Sequence, residues 1–153
     1  MYKKILVPLD GSQLAECVLP HVESIALGCG VEVVILLRVL DVYIPNYVET
    51  YISKEQRMEA DERVEKEVSG YLNEISGRVN LKGAEVKKHI ITGRASESIA
   101  EFATKEDVDL IAIATHGRSG ISRWAWGSVA DRILRSSCVP VLMVRAPGCV
   151  PGI

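Results

Sequence analysis

Aromatic residues supply only 5% of the 153-residue chain, and no basic excess accompanies them: Lys and Arg number 18 and Asp and Glu 20, a formal charge of −2. A surface that grips a nucleic-acid backbone needs a cationic field, and one that stacks bases needs aromatic platforms. Nucleic acid is therefore not an expected partner. No apolar run approaches the roughly 20 residues of a membrane-spanning helix, and the longest stretches, such as residues 33–37, are strand-sized. Only five mostly apolar residues separate Lys4 from Asp10, too few for a signal-peptide core. The expected location is the cytoplasm, with no membrane partner. The four cysteines, Cys17, Cys29, Cys138 and Cys149, form no Cys-x-x-Cys pair, which argues against a zinc site or a disulfide framework and for scattered, mostly buried free thiols. Also missing are Gly-x-x-x-x-Gly-Lys-Ser/Thr and any Gly-x-Gly-x-x-Gly after the first strand, which removes P-loop NTPases and the mainstream dinucleotide-binding proteins.

What is present is the balance of an ordinary globular core: 48% hydrophobic and 25% charged residues in 16.8 kDa, enough for one domain. We place it at residues 1–145, with a loosely attached tail over 146–153. Short β-branched runs at 4–9, 31–39, 84–91, 108–114 and 139–144 predict five strands, the second apolar on both faces as a covered parallel strand should be. Between them, Leu14, Val18, Val22, Ile25 and Ala26 share one helical face, kinked at Pro20. Val64, Val68, Tyr71, Leu72, Ile75 and Val79 mark a longer helix; Ile99, Phe102 and Ala103 a third; Val129, Ala130, Ile133 and Leu134 a fourth. Such alternation predicts an α/β fold, an open five-stranded parallel sheet with helices on both faces. Pro140 lacks an N–H, which should confine the last strand to an edge, and residues 141–144 carry no charge to discourage further pairing. A two-fold match with a second copy through residues 139–144, or an edge blunted by the tail, would satisfy it.

In such a sheet a ligand crevice opens beyond the carboxyl ends of the strands. After the first strand comes Pro8-Leu9-Asp10-Gly11-Ser12, where Asp10 or Ser12 would either cap the next helix or contact a ligand. After the fourth, Gly117, Gly120 and Gly127 let the backbone approach an anion, and Gly127-Ser128 opens a helix whose N–H groups and dipole favour phosphate. A plainer account has Ser128 and Asp131 forming a capping box. His21 and His89 show no matched ligand spacing. His116 has no recognisable triad partner and is read as shaping the loop or a phosphate edge. Trp124 and Trp126 lie two apart and cannot share a helical face.

Ile5-Leu-Val-Pro-Leu-Asp10-Gly-Ser12, Gly93-Arg-Ala-Ser-Glu-Ser-Ile99, and Thr115-His-Gly-Arg-Ser-Gly120 running to Gly127-Ser128-Val129-Ala130 resemble the universal stress protein family over nearly the whole chain. The family's ATP-binding members carry Gly-x2-Gly-x9-Gly-Ser/Thr. Gly117 and Gly127-Ser128 match its later glycines, and Ala114 stands in place of the first. The resemblance implies a Rossmann-like sheet in the order 3-2-1-4-5, a homodimer through the last strand, and an adenine-nucleotide site. In that site Pro8, Leu9 and Asp10 would line the pocket, with Asp10 accepting from ribose hydroxyls, and the backbone of Val39 would meet the adenine edge. Ile113, Ala114, His116 and Gly117 would follow sugar and phosphates, and Gly127, Ser128 and Val129 would clamp the phosphates. The function expected is that of an ATP-binding regulatory protein of stress response, ATP bound with or without Mg2+, acting through nucleotide-dependent conformation or partner binding. The alternatives are a slow ATPase, for which no catalytic residue is assigned, and a nucleotide-free dimeric scaffold.

Overall fold

Strand β1 (Lys4–Pro8) runs through the middle of a five-stranded sheet whose members β2 (Val33–Leu40), β3 (Glu85–Thr92), β4 (Leu110–Ala114) and β5 (Val141–Val144) are all parallel, in the order β3-β2-β1-β4-β5. The computed structural model describes residues 2–41, 53–115 and 128–145, so the proposed tail over 146–153 lies outside the described residues. The helices are α1 (Gln13–Glu16), α2 (Leu19–Cys29), α3 (Lys54–Arg78), α4 (Ala95–Lys105) and α5 (Ser128–Ser136). The predicted α/β class and strand order are both observed. None of the described helices is long and apolar enough to cross a membrane.

The central strands are apolar at every position but Lys4 of β1 and Arg38 of β2, because both faces are covered. Ile5, Val7, Val34, Leu36, Leu110 and Ala112 pack beneath residues of α1, α2 and α3. Their alternates Leu6, Ile35, Leu37, Ile111 and Ile113 pack against Ile99 and Ala103 of α4 and Ala130 and Ile133 of α5. Strand β3 is an edge and more exposed than its neighbours, with Glu85, Lys87 and Lys88 on the surface; the expected alternation gives way at the adjacent Lys87 and Lys88. At the amino end of the sheet, Asp109 Oδ2 accepts from the amides of Lys3 and Lys4, each at 2.8 Å, and these bonds hold its carboxyl below the usual aspartate range.

Three expectations are corrected. The kinked helix is instead two helices. Leu14 and Ala15 accept from the amides of Cys17 and Val18 in a tightened turn, and Pro20 falls at the start of α2, where its missing N–H breaks no helical bond. The thiols are not mostly buried: Cys17 and Cys29 are half-buried and Cys138 is exposed, the last in the surface turn that Ser137 Oγ closes by accepting from Val139 N at 3.0 Å. Cys149 lies outside the described residues. Leu134 is not on the packed face of α5 but 48% exposed.

Candidate functional site

Backbone parity explains where the sheet opens. Leu9 N donates to Leu37 O at 2.9 Å, while Asp109 N donates to Lys4 O at 2.9 Å. In β1, therefore, odd residues turn their polar groups toward β2 and even ones toward β4. Pro8 has no N–H and falls on the β4 side, and the β1–β4 register is confined to Ile5↔Leu110 and Leu6↔Ile111. A central strand tolerates proline badly; here it ends the ladder, and beyond it β1 and β4 part. This is the switch point of the topology, where the chain winds outward in both directions.

Strand β2 outruns β1 by three residues, pairing Arg38, Val39 and Leu40 with β3 alone. Leu40 O accepts from Gly93 N on the β3 side, so the amide and carbonyl of Val39 turn toward the space that β1 has vacated. By the same rule Ile111 N donates to the carbonyl of Pro140, just before β5, and Thr115 N to that of Val144 at its end, and Ala114 turns its backbone toward β1. Ala114 is a regular strand residue paired with Val144. Among the described residues only Lys82 and Asp107 combine a side chain with positive φ, so alanine at 114 occupies no glycine-only conformation; its methyl adds bulk without strain.

A cleft of about 520 Å³ opens at this point. Pro8, Leu9, Asp10, Val39, Ile113, Ala114, Ser128 and Val129 all line it, brought from four separate segments. Three other predicted site residues, His116, Gly117 and Gly127, lie outside the described residues, as do Trp124 and Trp126. Asp10 organises the turn after β1: its Oδ1 accepts from Ser12 N at 2.9 Å and Ser12 Oγ at 2.6 Å. Ser12 Oγ in turn accepts from Ala15 N at 3.1 Å and caps α1, the capping role weighed for this pair. Asp131 accepts from Arg135 Nε at 3.0 Å. His89 packs edge-on against Phe102, ring centroids 5.2 Å apart.

Arg38 was not singled out by the motifs, yet it lines the cleft. Its signal was one charged residue inside the otherwise apolar run VVILLRVL. Its Nη1 donates to Leu9 O at 3.3 Å. Behind it, Tyr71 Oη donates to Glu16 Oε1 at 3.3 Å, and Arg78 bonds the other Glu16 oxygen. Burial, then Glu16, pushes the Tyr71 phenol far above its usual value; Asp10 adds to the rise and Arg38 opposes it.

A parallel α/β sheet with a cleft at its switch point defines a broad class of ligand-binding folds. Within that class the chain belongs to the universal stress protein family, whose sequence profile matches residues 1–145. It is 30% identical to universal stress protein MJ0531 of Methanocaldococcus jannaschii, over 96% of this chain and 84% of that one. It is 31% identical to MJ0577 of the same organism, over 95% and 96%. The solved structure of MJ0577 superposes with a TM-score of 0.77 at 32% identity, covering 97% of this chain and 99% of that one. A universal stress family protein of Arabidopsis thaliana, solved with AMP bound, shares the fold at a TM-score of 0.67 and 15% identity, covering 95% and 93%.

Proposed function

We propose that the chain binds an adenine nucleotide, ATP in the first instance, in the cleft between β1 and β4, and acts as a regulatory protein whose conformation or partners follow occupancy. The observation that carries this reading is that eight residues which the family resemblance implies for the site, drawn from four segments of the chain, line one cleft. Their chemistry suits the parts of the ligand. Asp10 supplies an anionic acceptor for ribose hydroxyls. Val39 supplies an outward amide and carbonyl for the adenine edge. Ser128 and Val129 begin α5, whose first amides and dipole favour phosphate. His116, Gly117 and Gly127 would complete the phosphate end. No group of three or more metal-ligating side chains is present among the described residues, and we assign magnesium to the phosphates alone. The Arabidopsis protein with AMP bound indicates that the fold accepts such ligands.

The same proposal takes residues 1–145 as one nucleotide-binding domain, cytoplasmic, and paired with a second copy through β5. Calorimetry with ATP, with and without magnesium, tests the binding. A saturable one-to-one heat is expected, with Asp10→Asn weakening it roughly tenfold or more, the scale of one hydrogen bond to a charged acceptor. No heat, and no nucleotide released from the purified protein, would retire the reading in favour of a bare scaffold.

A further inference from the structure

Arg38 stands at the one place where a charge interrupts β2, directly after Leu36 and Leu37, both fully buried. Taking a guanidinium off the surface is costly unless its donors are used, and here one of them is used on the backbone of the neighbouring strand. Nη1 donates to Leu9 O at 3.3 Å. The same nitrogen lies 3.8 Å from the position a Cβ on Gly11 would take, and Gly11 itself has φ +84. Arg38 therefore touches the residue before Asp10 and faces the residue after it. Arg38 lies two residues on from Leu36 in β2 and so shares the sheet face on which Leu36 and Leu9 pack with Leu72 and Ile75 of α3. Among the described lining residues Arg38 is the single cation, beside the anions Asp10 and Asp41.

We propose that Arg38 is a positioning residue for the ribose end of the site: it fixes the Leu9 carbonyl and the Gly11 turn, and so aims the Asp10 carboxylate at the ligand's hydroxyls. This rests on the nucleotide reading above and adds the residue that orients its acceptor. The peptide carbonyl of Leu9 sets the plane from which Asp10 departs. Ser12 holds the carboxylate relative to the turn, but it cannot hold the turn relative to the sheet. The guanidinium on β2 makes that second link, and its planar, preorganised donors suit the task better than a mobile ammonium. Small displacements of an orienting group are costly in a site that depends on geometry.

The test compares ATP with 2′,3′-dideoxy-ATP, which lacks both ribose hydroxyls, by calorimetry on the intact chain. The wild type is expected to prefer ATP by about tenfold. Arg38→Met should weaken ATP to the level of the dideoxy compound while leaving the dideoxy affinity unchanged. Asp10→Asn should behave alike, and the double variant should be no worse than either single one. Equal weakening of both ligands by Arg38→Met would make Arg38 a source of general charge attraction and overturn the proposal. So would a wild type that binds the two compounds equally, an outcome that leaves nucleotide binding intact. A wild type that binds neither defeats the nucleotide reading itself, and this inference with it. Arg38→Lys keeps the charge and guards against a Met variant that does not fold. It should lose part of the preference for ATP, and an undiminished preference at a normal urea midpoint counts against the positioning role.

Discussion

Gly93 joins β3 to α4 with a backbone that only glycine holds without strain, φ +154, and a Cβ built there would stand 2.3 Å from Ser98 Oγ. Its amide donates to Leu40 O at 2.9 Å, so the unusual geometry extends the β2–β3 ladder by one residue and sets where α4 begins. Ala95 and Ile99 of that helix line the cleft. Gly93→Ala is expected to cost about 1–3 kcal/mol, measured as a lowered urea midpoint. Adding Ser98→Ala removes the close oxygen but not the dihedral, and should recover only part of the loss; full recovery would show that crowding alone was responsible. The segment from Gly93 to Ile99 was legible as a family motif, but the reason for its glycine was not, because a contact across five residues of turn and helix leaves no trace in composition or period. At Asp10, by contrast, residue chemistry spoke directly, a carboxylate and small turn residues opening a helix, whereas Pro8 was legible only as a pocket residue and its ending of the β1–β4 ladder appears in the register.

Helix α3 shows how far element-scale patterns carry. Its 25 residues span about 37 Å at 1.5 Å each, whereas the eight residues of β2 span only about 26 Å. The helix therefore outruns the sheet it packs on. Its capping box, Ser53 with Gln56, starts it beyond the carboxyl ends of the strands, and residues 54–67 are all exposed. Val64 falls on the predicted apolar face and is nevertheless 44% exposed, because at that height the helix faces the cleft rather than the core. Periodicity reports which face is apolar, not how much of the helix has anything to lie against. Ile75, fully buried, and Met58, 63% exposed, make the contrast measurable. Ile75→Ala should cost about 2–5 kcal/mol by lost burial and cavity formation, and Met58→Ala should stay within about 0.5 kcal/mol, both read by chemical denaturation. Pro20 teaches the complementary lesson: apolar spacing runs unbroken through Leu14, Val18 and Val22, yet the helix stops and restarts, since the spacing survives a tightened turn that backbone bonding does not.

At the scale of the whole molecule, the sheet has two edges of different character. The β3 edge carries Glu85, Lys87 and Lys88, charges that discourage pairing. The β5 edge carries none. Pro140 marked this strand as terminal, and it is, but through a different geometry: Pro140 O accepts from Ile111 N, so its nitrogen sits on the β4 side and blocks nothing outward. The same parity turns the amides and carbonyls of Val141 and Met143 away from β4, a short apolar edge that pairs with no further strand among the described residues. An antiparallel match with the same strand of a second copy would satisfy them under two-fold symmetry. Val141→Pro tests this without touching the β4 ladder, because it removes an outward N–H at the first strand position, where proline is tolerated. Sedimentation of the wild type is expected at twice the 16.8 kDa chain mass, and of Val141→Pro at the monomer mass, with the far-ultraviolet circular dichroism of the two superimposable. A variant that remains dimeric would move the interface elsewhere, and a wild type that sediments as a monomer would leave β5 as an unpaired edge.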